Sequence, residues 1–229
     1  MASERVEASP VLAVRGLAKF YQRAGRPRFL FEDLSFNLNH SDRLAVIGRN
    51  GQGKSTLIKI LGGVLSPSRG DVRWTMSASW PLGYGGAFQG GLTGTDNVKF
   101  IARIYNRPID LILEKVEQFA ELDDAMTMPV KHYSSGMRAR LAFGLTLAIE
   151  FDCYLIDEVI SVGDVSFRQK CQTELFDKRR DRCFIIASHE LDFLRETCNC
   201  AIVINDGHAE VYSDMDDALS AYDKISQSN

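Results

Sequence analysis

The chain has 229 residues, of which 45% are hydrophobic and 25% charged, and its net charge is −3. That length suits one large domain or a core with a smaller subdomain, and the composition is that of an ordinary soluble globular protein. The slight acidity excludes the basic footprint of a nucleic-acid binder, no apolar run reaches the roughly 18 residues of a membrane span, and the acid-bearing start Met1-Ala-Ser-Glu-Arg-Val-Glu lacks the apolar stretch of a secretory signal.

In chain order, residues 11–16 and 34–39 alternate as half-buried strands around the turn-rich Arg23-Ala24-Gly25-Arg26-Pro27. Residues 44–48 form a buried strand and 54–62 a helix. Gly70 to Trp74 reads as another short strand after the break at Ser66-Pro67-Ser68. Helical periodicity covers 95–106, 110–121 and 136–149, together a helical insertion. Cys153 to Ile156 and Phe184 to Ala187 are apolar and unalternating, as strands buried on both faces of a parallel sheet are. Ala201 to Ile204 and Ala209 to Tyr212, around Asn205-Asp206-Gly207, predict a hairpin. Ser213 with Asp216 is expected to start a last helix that carries Leu219, Tyr222 and Ile225 on one face. The pattern is α/β, a core interrupted by a helical subdomain near 90–150. The cysteines (Cys153, Cys171, Cys183, Cys198 and Cys200) are odd in number, and Cys198-Asn199-Cys200 lacks zinc-knuckle spacing, so reduced thiols are expected.

Gly48 to Thr56 reads G-R-N-G-Q-G-K-S-T between an apolar strand and a helix, which is the Walker A spacing. Gly48, Gly51 and Gly53 permit backbone conformations closed to residues with a Cβ, so successive N–H groups can turn towards an anion. The helix N-terminus adds its dipole and its unpaired N–H groups. Lys54 is expected to reach the β- and γ-phosphates and Ser55 to complete a Mg²⁺ shell. Asn50 and Thr56 belong to the same nucleotide-binding loop. The second signal is the apolar strand ending in Asp157-Glu158: Asp157 suits Mg²⁺, and Glu158 can orient or deprotonate the attacking water. The third is Tyr133-Ser134-Ser135-Gly136-Met137, where Ser134 is a candidate N-cap of a second helix whose N-terminus can meet an anion.

Walker A, then Ser134-x-Gly136, then the Asp157-Glu158 strand resembles the ATPase domain of ATP-binding cassette (ABC) proteins. The resemblance implies a P-loop NTPase fold with a mixed sheet core, an antiparallel β subdomain and an inserted helical subdomain. The implied boundaries are a core at about 11–88 and 151–212, helices at about 89–150 and a C-terminal helix at about 213–226. It implies that Tyr21, rather than Phe20, stacks on adenine. It also implies that Gln89 contacts Mg²⁺ or water and faces a membrane partner, that Asp164 crosses a dimer interface and that His189 meets the γ-phosphate. Ser134 and Gly136 of one subunit would complete the ATP site of the other. Ser135 and Met137 depart from the common Gly and Gln of the signature, and the segment before Asp164 lacks the commoner Ala-Leu.

Pro81 to Gly94 with Asp96-Asn97-Val98-Lys99-Phe100, Tyr133 to Gly144, and Asp157 to Asp164 are similar to ATPase subunits of bacterial polysaccharide exporters, closest to the Gram-negative capsular type. The glycines at 83–91 are no dinucleotide loop, because a helix in register and an acid about 20 residues on are missing. The chain ends at Asn229, soon after His189, whereas O-antigen and teichoic-acid exporters often carry a further C-terminal domain. The expectation is therefore a homodimeric ATPase using ATP and Mg²⁺ at the cytoplasmic face of the inner membrane. Its partners would be a polytopic permease and the envelope polysaccharide export machinery, with no nucleic acid. The rival within the branch is an O-antigen or teichoic-acid exporter. The rival outside it is a soluble ABC ATPase, which usually joins two cassettes or carries coiled coils.

Overall fold

The computed structural model of the protein describes residues 10–23, 25–82, 88–158 and 165–227. Its first two strands, β1 (Leu12–Arg23) and β2 (Arg26–Leu38), are about twice as long as their alternating stretches suggest. They pair antiparallel from Leu12↔Leu38 to Arg23↔Arg26, and β4 (Arg69–Trp74) adds antiparallel to the other side of β1, giving the order β2-β1-β4. The pairing register shifts between Val14 and Leu17, between Leu17 and Lys19 and between Lys19 and Phe20. Each irregularity breaks the period-two pattern from which a strand is read.

The second sheet has the order β5-β6-β3-β7-β8. Strands β3 (Arg43–Gly48), β5 (Cys153–Asp157), β6 (Cys183–Ala187) and β7 (Cys200–Asn205) are parallel, and β8 (His208–Tyr212) closes the edge antiparallel, so the sheet is mixed. Both faces are covered. Leu44 and Val46 face Leu57, Ile58 and the inner residues of the three-stranded sheet, whereas Ala45 and Ile47 face the apolar helices. Helix α1 (Lys54–Leu61) thus lies between the two sheets. The β7–β8 link is a two-residue turn, Asp206 at φ 44° and Gly207 at φ 88°, the doubly left-handed geometry that Asp-Gly favours.

Three helices lie between the sheet-forming segments: α2 (Gly94–Ile104), α3 (Ile109–Ala120) and α4 (Ser135–Ile149). Thr93 caps α2 by accepting from the Asp96 N–H at 3.0 Å. Helix α4 is buried on every side from Leu141 to Ile149. Two short surface helices, α5 (Val165–Gln172) and α6 (Leu191–Thr197), flank β6 and are not foreshadowed by periodicity. The last helix, α7 (Met215–Gln227), is capped by Asp214, whose Oδ1 accepts from the N–H groups of Asp216 and Asp217, and not by Ser213. All five cysteines are free thiols. Among the described residues no helix is long and apolar enough to cross a membrane.

Candidate functional site

The site forms where three parallel strands end side by side. Val46 of β3 pairs with Ala187 of β6, which pairs with Asp157 of β5, so Gly48, Glu158 and His189 leave the sheet at one edge. The phosphate loop starts at Gly48, whose φ is not left-handed. The residue is required there because a Cβ would lie 2.6 Å from the Ile204 carbonyl oxygen of β7. Gly51 and Gly53 are the two loop glycines with positive φ, 79° and 109°. Gly53 is the N-cap of α1, leaving the first N–H groups of that helix unopposed by any side chain.

Lys54 is 5% exposed and folds back over the loop, its Nζ donating to the Gly48 carbonyl at 2.7 Å and the Arg49 carbonyl at 3.3 Å. Burial holds its ammonium below the ordinary lysine pKa, against the opposing pull of Glu158 and Asp157. The Ser55 hydroxyl donates to Asp157 Oδ1 at 2.8 Å across 102 residues of chain. Burial pushes the Asp157 carboxyl up; the Ser55 hydrogen bond pulls it down and the Glu158 charge raises it further. A hydroxyl and a carboxylate in contact are the hard oxygen donors that suit a small divalent cation. Among the described residues no three His, Cys, Asp or Glu side chains gather as a cage. Such a cation would take its other ligands from outside that set, as from water, phosphate or an amide oxygen.

Glu158 stands at φ 58°, uncommon for a residue with a side chain, and its N–H is held by the Ala187 carbonyl at 3.0 Å. The turn points its carboxylate at His189, where Nε2 lies 2.7 Å from Oε1. Because a carboxylate only accepts, Nε2 is the protonated nitrogen. Both side chains remain about half exposed.

The other sequence-predicted residues are placed as follows. Asn50 is exposed at the loop tip, and Thr56 is half-buried on α1. Tyr21 is 51% exposed near the end of β1, with Lys19 Nζ 5.2 Å from its ring centroid, whereas Phe20 is half-buried against Phe29. Gln89 has its backbone clamped: its N–H donates to Asn97 Oδ1 at 2.9 Å and its carbonyl accepts from Asn97 Nδ2 at 3.2 Å. Its side chain is exposed and makes no hydrogen bond to Ser55 or Asp157. Ser134 caps α4, its Oγ accepting from the Met137 N–H at 3.2 Å, and the space beside Gly136 is open, with the Ser134 Oγ the nearest atom. No hydrogen bond among the described residues links this helix start to the phosphate loop. Asp164 lies outside the described residues, as does the stretch 83–87.

Two contributors were missed from sequence. Asn97 is 1% exposed on α2, a polar residue beside Val98 and Ile101, and that mismatch was the available signal. Gln52 is joined to Asp206 by two hydrogen bonds over a separation of 154 residues, for which no sequence signal exists.

A glycine-shaped loop between a parallel strand and a helix, with strand-end acids beside it, defines a P-loop nucleotide-binding protein. The ABC transporter family pattern matches residues 31–161. The capsule polysaccharide export ATP-binding protein CtrD of Neisseria meningitidis serogroup B is 48% identical over 215 residues, covering 94% of this chain and 100% of CtrD. The ATP-binding protein BexA of Haemophilus influenzae is 44% identical over 214 residues, covering 93% of this chain and 99% of BexA. An ATP-binding cassette solved as a dimer in a post-hydrolysis state with ADP and Pi superposes with a TM-score of 0.75 at 18% identity, covering 89% of this chain and 98% of that one. The chain belongs to the ABC transporter family and is an ABC-type ATPase domain.

Proposed function

We propose that this chain is the ATP-hydrolysing subunit of an exporter that moves capsular polysaccharide across the bacterial inner membrane. Identity of 48% over all of CtrD carries the transport reading, and the edge where β3, β5 and β6 end carries the chemistry. Tyr21 offers adenine an exposed ring face. Lys54 exchanges its Gly48 and Arg49 carbonyl partners for phosphate oxygens. Ser55 and Asp157 hold Mg²⁺, with Gln89 reaching it from the clamped loop; when bound, the cation neutralises charge on the phosphates.

Glu158 accepts a proton from the attacking water as its oxygen bonds to the γ-phosphorus and the bond to the bridging oxygen breaks. His189 fixes the carboxylate through the 2.7 Å contact and reaches the γ-phosphate. Two copies sandwich two ATP molecules, with Ser134, Gly136 and Asp164 crossing between subunits, so closure depends on the γ-phosphate. The helices from 94 to 149 form the helical subdomain, and the segment 84–98 passes the motion to a polytopic permease that holds the ATPase at the cytoplasmic face of the membrane.

The test is recovery of the Glu158→Gln protein with ATP from native membranes in mild detergent, with partners identified by mass spectrometry. A polytopic membrane protein with envelope polysaccharide machinery supports the exporter. Ribosomes, DNA or soluble proteins alone sink the transport reading and leave the ATPase standing. Machinery for O-antigen or teichoic acid would move the cargo within the same branch.

A further inference from the structure

The phosphate loop is tied to a distant part of the fold by the side chain of Gln52. Gln52 lies between Gly51 and Gly53, both at positive φ, so the backbone on each side of it is the least restrained in the loop. Its Nε2 donates to Asp206 Oδ1 at 3.1 Å, and its Oε1 accepts from the Asp206 N–H at 3.0 Å. The amide is thus used at both ends by one residue of the β7–β8 turn. That turn is itself rigidly specified, with Asp206 and Gly207 in left-handed geometry between paired strands.

Strand β2 packs into the same junction. A Cβ on Gly53 would lie 3.1 Å from the Leu30 Cβ, and one on Gly207 would lie 3.5 Å from the Phe29 Cβ. The Phe29 ring in turn packs on Phe20, next to Tyr21, at a centroid separation of 5.1 Å. Three segments far apart in sequence therefore meet behind the loop: the strand bearing Tyr21, the loop tip and the β7–β8 turn.

We propose that Gln52 is a positioning residue for ATP: its paired hydrogen bonds with Asp206 brace the phosphate loop and prepay the ordering that triphosphate binding otherwise demands. This rests on the nucleotide reading above. A loop with two left-handed glycines loses conformational freedom when it closes on phosphates, and a brace present beforehand removes part of that cost from binding. Gln52 touches no reacting atom in this role, so its loss appears in affinity and not in the maximal rate. The effect is confined to the polyphosphate moiety, because among the described residues Gln52 makes its side-chain hydrogen bonds to Asp206 and none to Tyr21.

Binding of ATP, inorganic tripolyphosphate and adenosine to the full chain is measured for wild type, Gln52→Ala, Asp206→Asn and the variant with both Gln52→Ala and Asp206→Asn, with the thermal midpoint of each. Two partly exposed hydrogen bonds predict that Gln52→Ala weakens ATP and tripolyphosphate about three- to tenfold. Adenosine binding and the turnover at saturating ATP stay within twofold of wild type. Asp206→Asn keeps an acceptor oxygen and tolerates positive φ, so it remains near wild type, and the double variant is no weaker than Gln52→Ala alone. If Gln52→Ala does not fold, Gln52→Glu replaces it, keeping the acceptor for the Asp206 N–H while turning the donor into an oxygen that faces a carboxylate. Unchanged tripolyphosphate affinity in the folded variant, or a lowered maximal rate at unchanged affinity, overturns the brace. Failure of wild type to bind either ATP or tripolyphosphate overturns the nucleotide reading instead.

Discussion

The phosphate-loop edge of the five-stranded sheet and the N-terminus of α4 are two anion-receptive helix starts in one chain, built in opposite ways. At the first, four side chains already have partners from the same chain: Lys54 on the Gly48 and Arg49 carbonyls, Ser55 on Asp157, Glu158 on His189, Gln52 on Asp206. At the second, Ser134 and Ser135 are exposed, the Ser134 hydroxyl does no more than cap its own helix, and Gly136 faces open space. Under the proposed function, the difference means that one chain supplies a preorganised phosphate site and, separately, a surface that becomes useful only against another molecule. In the proposed dimer the two halves of each ATP site are therefore unequal. One is set by intrachain burial, the other by docking.

The sharpest way to break this comparison is at the self-contained half. Glu158→Gln keeps the shape of the side chain and a possible contact to His189 but removes the proton acceptor. Turnover is expected to fall by about 10²–10⁴, the usual worth of a positioned general base, while ATP affinity is preserved. Steady-state ATPase assays beside equilibrium binding read both quantities. Turnover near wild type would move the base to another residue.

The docking half responds to mixing. Ser134→Ala alone is expected to cost tenfold or more in turnover, the loss of a charge-assisted hydrogen bond worth about 1.5–3 kcal/mol, with little effect on ATP binding to the isolated chain. In a defined heterodimer, one chain carries Glu158→Gln and its partner carries Ser134→Ala. If Ser134 works across the interface, both lesions fall in one site and the other site stays intact, so about half of wild-type turnover survives. If Ser134 acts within its own chain, both sites are damaged and turnover collapses.

Gly48→Ala tests how tightly the self-contained half is packed. The added Cβ would meet the Ile204 carbonyl at 2.6 Å, inside a pair of hydrogen-bonded strands with no flexible side chain to yield. A stability loss of about 1–3 kcal/mol is expected from denaturant unfolding, the usual range for overpacking. The equivalent change at Gly136, beside open space, is expected to leave stability almost untouched.

What was legible in the sequence follows the same division between local and long-range causes. Strands β3, β5 and β6 are short apolar runs because both faces are buried, and the loop glycines announce a turn that only glycine tolerates. The hairpin of β1 and β2 is longer than the alternating stretches predict because its register shifts break the alternation, and its outer half carries exposed Arg26 and Arg28. Helix α5 buries only Phe167 and Cys171, and α6 only Leu194, too few to impose a period. The cap of α7 falls on Asp214, one residue after Ser213, because both residue types are good acceptors and only the backbone direction separates them. The Asn97 clamp and the Gln52–Asp206 pair are tertiary contacts, and nothing local in either segment encodes its partner.

The smallest expected effect lies at Asp157, and its sign separates the two influences on the self-contained half. Burial raises this carboxyl above its ordinary value of 3.8, so the folded chain holds its proton in a window where the unfolded chain has released it. Stability from this group therefore falls as pH rises through that window, and the cost is fully present at neutral pH. Asp157→Asn removes the desolvated charge while its carbonyl oxygen still accepts from the Ser55 hydroxyl. Against this, Lys54 loses one of the two carboxylates that favour its charged form, but Glu158 remains. The group is partly exposed, so solvent screening discounts both terms. In chelator-treated protein at neutral pH, the thermal midpoint is expected to rise by no more than about 2–4 °C, the shift that 1 kcal/mol produces in a chain of this size. The same variant is expected to lose Mg²⁺-dependent turnover, a trade of activity for stability seen where a site keeps an uncompensated charge. A fall in the midpoint would mean that Asp157 stabilises the folded chain through Lys54 and Lys59, making the loop edge an ion-paired structural element before it is a cation site.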